Sequence, residues 1–307
     1  MTKSAKNAQY SEETAGAGLD SDELGAHVSA AGGVQRAPAR AEEIESQVLQ
    51  LFTKQPSRWA EPEISTETKK TFLAERRRAG IATAVVHDSY LINLSSPDPV
   101  LWKRSLASFI GEVGRAATLG LDFVVSHPGN ATDGDVASGI ARNADGVERA
   151  LTEVEGGPTV LLELTAGSGT SVGGTFENLA GLIGRLSPGA LNRVGICFDT
   201  CHAYAAGYDL VEDYDGVFEK FEDVLGLDRL LLFHVNDSKG ELGSHRDRHE
   251  HIGRGTLGEG PFRRLMLDER FVGVPKILET PKDDDSATAD LANLALLRSF
   301  RVSGEGT

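Results

Sequence analysis

The chain has no long apolar run: no stretch of about 18 consecutive apolar residues occurs in its 307 positions, so a transmembrane helix is not expected. Its first residues also lack the apolar core of a secretory signal, because MTKSAKNAQYSEETAGAGLDSDE is polar, acidic and rich in small residues. We interpret residues 1–23 as a disordered tail, 24–302 as one domain and 303–307 as a short flexible end. A cytoplasmic protein without membrane contact is expected.

Cysteine is scarce, with only Cys197 and Cys201 present. A disulfide framework needs more cysteines and a secreted context. Their Cys-x3-Cys spacing also differs from the Cys-x2-Cys spacing of redox and zinc-finger motifs. Both thiols are therefore expected to be small packing groups.

Positive charge is in deficit, because 31 Lys and Arg face 46 Asp and Glu and the formal net charge is −15. Nonspecific coating of nucleic acid depends on phosphate neutralisation by Lys and Arg, so that function class is disfavoured. A local positive site built from metal ions is still compatible with this composition.

Short apolar runs are abundant and alternate with longer segments that suit helices. Eight buried strands alternating with helices are typical of parallel pairing, so we predict an α/β fold, a single (β/α)8 TIM barrel. The predicted helices include 66–79, 98–119, 135–155, 173–186 and 212–226. The predicted strands are 24–29, 46–53, 82–87, 121–127, 159–164, 193–199, 229–237 and 275–280.

Ionisable or polar side chains follow the apolar part of nearly every predicted strand. In such a barrel the carboxyl ends of the strands meet at one mouth, so these residues should converge there. Imidazole and carboxylate groups are the usual zinc ligands, and a cation offsets the desolvation of clustered carboxylates. We therefore predict a metal site at this mouth. The residues are His27, Thr53, Lys54, His87, His127, Glu163, Asp199, His202, His234, Asp237 and Glu279.

The segment SHRDRHEHIGRG, residues 244–255, lies in the predicted loop after the seventh strand. In an extended conformation, alternation would put His245, Asp247, His249 and His251 on one side, with Arg246, Arg248 and Glu250 on the other. One face could hold metal while the other presents guanidinium groups to phosphates. A solvated charged loop is the alternative.

The candidate ligands are too numerous for one ion. A single zinc needs three or four protein ligands, whereas about nine candidates suit a cluster of two or three ions. Such clusters hold the attacking and leaving oxygens of an in-line phosphoryl displacement. The residues thus point to phosphoester hydrolysis.

Several motifs resemble endonuclease IV, the family of metal-dependent apurinic/apyrimidinic (AP) endonucleases of base-excision repair. They are GAHVSAAGG (25–33), HDSYLINL (87–94), HPG (127–129), DTCHAYAAGYDL (199–210), HVNDSKGELGSHRDRHEHIGRG (234–255) and ILET (277–280). The resemblance covers roughly residues 24–300, in order. DTCHAYAAGYD and DRHEHIG are its most specific parts.

The resemblance implies a trinuclear zinc centre at the carboxyl face of the barrel strands, where Mn2+ or Fe2+ could replace Zn2+. Glu163 would bridge two ions and thereby take part in catalysis. One ion would be held by His87, His127 and Glu163, a second by Glu163, Asp199, His234 and Glu279, and the third by His202, Asp247 and His249.

The same resemblance implies a class II AP endonuclease, a hydrolase acting on double-stranded DNA. A metal-activated hydroxide would cleave the phosphodiester 5′ to an abasic site, leaving a 3′-hydroxyl and a 5′-deoxyribose phosphate. Trimming of blocked 3′ ends is an implied second activity. Four ligand carboxylates would leave a surplus of positive charge on three zinc ions, which lets an acidic protein bind a phosphodiester. A monomer that works at the nucleoid is expected.

DNA contacts are also carried over from the family. Tyr90 and Leu91 map to residues that insert into the duplex, where a ring and an apolar wedge fill the gap left by a flipped nucleotide. Arg58, Arg248 and His27 are further candidates. The family often has Asn-Pro-Arg-x-Trp after the second strand. Here residues 55–59 read Gln-Pro-Ser-Arg-Trp, with the arginine displaced by one position.

Two other positions depart from the family pattern, Leu164 and Ser168 in the loop beside the metals, and both could alter support of the site. His245 and His251 lie next to ligands but map to none of them. The main rival is a sugar isomerase or epimerase, which has the same barrel but no need for His202, Asp247 and His249. A noncatalytic binder of damaged DNA is disfavoured because the ligand set is complete.

Overall fold

A computed structural model describes residues 23–282 and 286–302. Within them, eight parallel strands form a closed barrel in which each strand pairs with its neighbour in sequence, and the last pairs with the first. The predicted α/β barrel is therefore confirmed. Residues 1–22 of the predicted tail and the predicted flexible end, 303–307, lie outside the described residues, so the predicted domain boundaries stay predictions.

Each predicted apolar run contains one barrel strand, although every strand is shorter than its run. The predicted runs are longer than the strands because they include residues of the adjoining turns. The barrel strands are β1 Leu24–His27, β2 Val48–Leu51, β3 Thr83–His87, β4 Phe123–Ser126, β5 Thr159–Glu163, β6 Val194–Asp199, β7 Leu230–His234 and β10 Lys276–Leu278. Two short strands, β8 Asp237–Ser238 and β9 His249–Glu250, form an antiparallel pair between β7 and β10.

Helices surround the barrel, and several begin at a polar capping residue. The side chains of Ser65, Asp98, Asp135 and Thr175 each accept a hydrogen bond from a backbone N–H in the first turn of a helix, which satisfies a donor that the helix itself leaves unpaired. The helices are α1 Ala37–Glu43, α2 Thr66–Arg78, α3 Pro99–Leu119, α4 Val136–Glu153, α5 Phe176–Ile183, α6 Pro188–Leu191, α7 Thr200–Ala206, α8 Tyr214–Leu225, α9 Gly260–Leu267 and α10 Ser286–Val302. Among the described residues, no helix combines the length and apolarity needed to cross a membrane.

The barrel interior is closed by one layer of apolar side chains, each fully buried, which we call the apolar layer. Its members are Val48, Val85, Val125, Leu161, Cys197, Leu232 and Ile277. A separate and larger apolar core lies between the strands and the helices. The barrel interior is therefore closely packed directly beneath the site at the carboxyl end of the strands.

Candidate metal centre

The side chains at the carboxyl end of the barrel form a ring, which we call the upper ring. In seven strands its member lies two residues after a member of the apolar layer, and positions i and i+2 point to the same side of a strand. Val85 is thus followed by His87, and Leu161 by Glu163. The first strand instead has Gly25 two residues before its ring member. The upper ring comprises His27, Gln50, His87, His127, Glu163, Asp199, His234 and Glu279.

Glu163, a member of this ring, is fully buried and lies against four histidines. Its Oε2 is 3.2 Å from His87 Nε2 and 3.0 Å from His127 Nε2. Its Oε1 is 3.0 Å from His234 Nδ1 and 3.2 Å from His202 Nδ1. The two oxygens of one carboxylate therefore face different sets of histidines, as a bridging ligand requires.

A second group surrounds His234. Its Nδ1 is 3.1 Å from Glu279 Oε2 and 3.9 Å from Asp199 Oδ2, and the ligand atoms of these residues and Glu163 lie within 4.8 Å of one another. The pairing of β6 with β7 aligns Asp199 with His234 across the sheet, which explains their proximity. Three carboxylates and one imidazole meet here.

A third group combines the start of α7 with the segment before β9. Asp199 caps α7, accepting from the backbone N–H of His202 at 2.8 Å, and this turn aims His202 at the mouth. Asp247 Oδ1 is 3.3 Å from His202 Nε2 and 3.3 Å from His249 Nε2. The structure thus brings together all nine predicted ligands in the three predicted groups.

One ring nitrogen of each of three histidines contacts a backbone acceptor, as in many metal sites. Nδ1 of His87, His202 and His249 contacts the backbone oxygen of Asp88, Leu164 and Glu279 respectively, at 3.0–3.1 Å. In contrast, Nε2 of His202 and Nε2 of His249 are buried without a hydrogen-bond partner, and both face Asp247. Buried nitrogens without partners, opposite a carboxylate, fit a cation bound between them.

The clustered carboxylates of the site are stabilised by nearby positive charge. Burial alone would lower the pKa of His87, but the carboxylates of Glu163 and Glu279 outweigh it and raise that pKa to about 10. Burial likewise opposes a charged Glu163, yet the surrounding histidines hold its pKa well below the usual range. Without metal, protons on the histidines supply this charge, and metal binding would displace them.

Both cysteines are free and buried close to the ligands. Cys197 lies within 4.8 Å of ligand atoms of Glu163 and His234, and Cys201 of Asp199 and His249. Without metal, burial raises the pKa of each thiol to about 12, so both are protonated thiols in that state. Cys197 belongs to the apolar layer, consistent with the packing role expected from sequence.

A cleft of about 1310 Å³ opens over the upper ring, and three of the candidate DNA contacts line it: His27, Tyr90 and Arg248. Tyr90 is 70% exposed, and its ring stands edge-on against Phe52 at 5.3 Å. His27 is half-buried, with its Nδ1 3.5 Å from Glu279 Oε1. Arg58 and Arg248 are exposed, and Leu91 is half-buried.

The segment 244–255 departs from the regular alternation considered above. His245 has a backbone φ of 53°, which is left-handed, so the chain is not extended there. Its Nδ1 contacts the backbone oxygen of Ala166 at 3.1 Å, and Ser168 Oγ donates to the oxygen of His245 at 2.9 Å. His251 lies against Asn293. Only Asp247 and His249 of this segment join a ligand group.

Three residues expected at the mouth belong to none of the ligand groups. Asp237 accepts from the backbone N–H groups of Ser238, Gly255 and Leu257 and so closes the loop that carries the third group. Thr53 and Lys54 follow a strand that has already ended at Leu51, and they bond to Glu112 and Glu61 in a buried polar network. The convergence predicted for Asp237 is wrong, whereas Thr53 and Lys54 do line the cleft over the mouth but belong to no ligand group.

Sequence reasoning missed two buried supports. Gln50 contacts His27, His234 and Glu279. Asn236 Nδ2 donates to Asp199 Oδ2 at 2.8 Å, and its Oδ1 accepts from the backbone N–H of Glu279. For Gln50, the signal in the sequence was a polar residue two positions after an apolar-layer valine.

Comparisons with known proteins agree with the barrel fold. The profile of the family described as "Xylose isomerase-like TIM barrel" matches residues 38–300. A protein of Chloroflexus aurantiacus, "Probable endonuclease 4", is 47% identical over 285 residues, covering 92% of this chain and 99% of that protein. The crystal structure of endonuclease IV from Thermus thermophilus superposes with a TM-score of 0.82 at 38% identity, covering 92% of this chain and 99% of that one. A D-tagatose 3-epimerase-like protein shares the fold, with a TM-score of 0.68 at 17% identity over 92% of this chain and 98% of its own.

Proposed function

Because this chain belongs to the endonuclease IV family, we propose that it is a DNA-repair enzyme that hydrolyses the phosphodiester 5′ to abasic sites in double-stranded DNA. The observation that carries the proposal is the arrangement of nine ligands in three groups around Glu163. We propose three Zn2+ ions in these groups, with Mn2+ or Fe2+ as substitutes. Removal of blocked 3′ ends would use the same site.

Hydrolysis of a phosphodiester at this site would depend on the ligand residues that hold each metal ion. When bound, such ions lower the pKa of water and stabilise the attacking and leaving oxygens of a phosphodiester. Glu163 would hold two ions at a fixed separation, since its oxygens face different histidines. His202, Asp247 and His249 would hold the third ion at the open side of the centre, where Asp247 is exposed. The apolar layer beneath excludes water from the other side.

Two loops beside the cleft would bind the DNA. Ser89 Oγ donates to the backbone oxygen of Pro56 at 2.5 Å, so the loop with Arg58 and the loop with Tyr90 are tied together. The first loop is closed at its base, where Glu61 accepts from Lys54 and from Arg115. Tyr90 and Leu91 would fill the gap left by the abasic nucleotide, and Arg58, Arg248 and His27 would contact the strands.

A sugar isomerase or epimerase is the second candidate, favoured by the shared fold of the epimerase-like protein. Its identity of 17% supports the fold alone. The group formed by His202, Asp247 and His249 supports the nuclease instead, because it adds a metal position over the mouth. That the protein is a monomer, that it is cytoplasmic and that it acts at the nucleoid all remain predictions.

The test uses the full chain and a duplex carrying one tetrahydrofuran abasic analogue. This analogue resists β-elimination, so incision shows hydrolysis and excludes a lyase. We expect cleavage immediately 5′ to the lesion, a 3′ end that a polymerase extends, and no cleavage of the undamaged duplex. Metal-loaded protein that leaves the analogue intact would contradict the proposal, and a screen of ketohexose epimerisation would then test the second candidate.

A further inference from the structure

Gln50 is the one amide in the upper ring, and its side chain is fully buried. It lies on β2, opposite His27 in the pairing of β1 with β2. The other members of the ring are imidazoles or carboxylates. A buried neutral amide among them must satisfy its own donors and acceptor, because an unpaired buried polar group is costly.

The contacts of Gln50 fix which way its amide points. Gln50 Nε2 lies 2.6 Å from Glu279 Oε1 and 3.0 Å from His27 Nδ1, while Gln50 Oε1 lies 2.9 Å from His234 Nε2. In this orientation the amide donates to a carboxylate and accepts from an imidazole N–H. The flipped orientation would place the amide oxygen against a carboxylate oxygen, where neither can donate.

This orientation fixes the tautomer of His234. His234 Nε2 carries the hydrogen that Gln50 accepts, so Nδ1 is the nitrogen that faces Glu163 and Glu279 and that binds metal once the metal displaces its proton. His87, His202 and His249 are instead held through backbone oxygens. The support of His234 comes from a side chain and can be removed by one substitution.

We propose that Gln50 is a positioning residue of the metal centre: it holds His234 in the tautomer that binds metal and holds Glu279 against the same ion. The inference rests on the proposed function, since it concerns the second metal position of that centre. Gln50 acts on two ligands that lie on β7 and at the end of β10. Its loss should therefore weaken metal binding while the barrel stays folded.

The test compares Gln50→Met, which keeps the side-chain length but removes the amide, with the wild type. Gln47→Met is the matched control, because Gln47 begins the same segment at the opposite end of the barrel and lies against Glu23 rather than the ligands. Zinc affinity is measured by competition with a chromophoric chelator, and the visible spectrum is recorded after Co2+ substitution. Melting of the metal-free proteins reports the fold.

For Gln50→Met we expect about a 10- to 100-fold weaker affinity for at least one zinc and a changed cobalt spectrum. At saturating zinc, kcat should fall while KM for the lesion duplex is unchanged. Gln47→Met should match the wild type. If Gln50→Met does not fold, Gln50→Glu replaces it: glutamate keeps an acceptor for His234 but sets a second carboxylate against Glu279, so weaker zinc binding is again expected.

Wild-type zinc affinity and an unchanged cobalt spectrum in the Gln50 variants that fold would overturn the inference. These two measurements need no DNA. A wild type that binds zinc but does not incise the abasic duplex would instead contradict the proposed function, and the comparison of Gln50 variants would still be decisive.

Discussion

Replacing Glu163 by alanine and replacing His249 by alanine should remove different metal ions, because the two residues belong to different ligand groups. A zinc site needs about three or four protein ligands. Without Glu163, His87 and His127 are left as a pair. Without His249, the same is true of His202 and Asp247.

The expected magnitudes follow from this arithmetic. Each single variant should retain about two zinc equivalents instead of about three, and the double variant should retain about one. In Glu163→Ala, the group around His234 keeps three ligands but loses its bridge, so that ion should also exchange faster. Losing one ion's stabilisation of the transition state, about 4 kcal/mol, corresponds to roughly 10³-fold in kcat.

The assay is zinc content after exhaustive dialysis, measured by mass spectrometry of the metal, together with single-turnover incision of the tetrahydrofuran duplex. Matched controls are Glu155→Ala, an exposed glutamate before β5, and His251→Ala, a histidine outside the ligand groups. Both controls should keep the full metal content. A thermal melt of each variant shows that the barrel is intact.

Glu163 and His249 would serve the same ion, contrary to this expectation, if the double variant retained as much zinc as either single variant. Full metal content in Glu163→Ala would also refute it. A carboxylate flanked by four imidazoles would in that case be a structural anion rather than a bridge between ions.

Three further predictions concern other parts of the molecule. A zinc ion present at a free concentration of 100 times its Kd stabilises the fold by about 2.7 kcal/mol. Removing zinc with a chelator should therefore lower the melting temperature by roughly 5 °C for each such ion, and added zinc should restore the melting temperature. An unchanged melting temperature would show that metal binding and folding are not coupled. Tyr90→Ala should weaken binding of the abasic duplex about 10-fold without loss of zinc, because the ring is 70% exposed at the cleft. The control Val100→Ala, which removes another exposed apolar side chain, should leave both the affinity for the duplex and the zinc content unchanged. Glu112→Ala should destabilise the protein by about 1–3 kcal/mol in a thermal or urea melt, because it removes one of the two carboxylates that pair with buried Arg115, at 2.9 Å, and the acceptor of the Thr53 hydroxyl, while Glu61 still pairs with Arg115. Exposed Glu219→Ala should cost less than about 0.5 kcal/mol, and equal effects of the two would show that the buried pair contributes nothing.

Composition and hydrophobic pattern were enough to predict the barrel, because each strand is an apolar run too short to be a helix and bounded by polar segments. The same pattern predicts which side chains face the mouth. Val85 and His87, or Leu161 and Glu163, are two positions apart, so an apolar floor and a polar ring follow from strand geometry. The sorting of ligands into groups came from the family resemblance rather than from this pattern.

Other features depend on contacts that no short segment contains. Gln50 was not predicted because the apolar run extends beyond Leu51, where the strand ends, and places Thr53 and Lys54 at its end. The partners of those two residues, Glu112 and Glu61, come from other parts of the chain. The left-handed residue His245 breaks the alternation expected for 244–255, and its contacts lie in the loop after β5. Tertiary hydrogen bonds determine both the position of Gln50 and the conformation of His245.

The order in which the ligands leave the ribosome has a consequence for assembly in the cell. His87, His127 and Glu163 are made early, whereas Glu279 follows Glu163 by more than a hundred residues and adjoins the strand that closes the barrel. The proposed second metal position would therefore form only when the barrel closes. Loading of the complete proposed centre would then follow folding rather than nucleate it, so we expect translation with zinc withheld to yield a closed barrel that becomes active on later addition of metal.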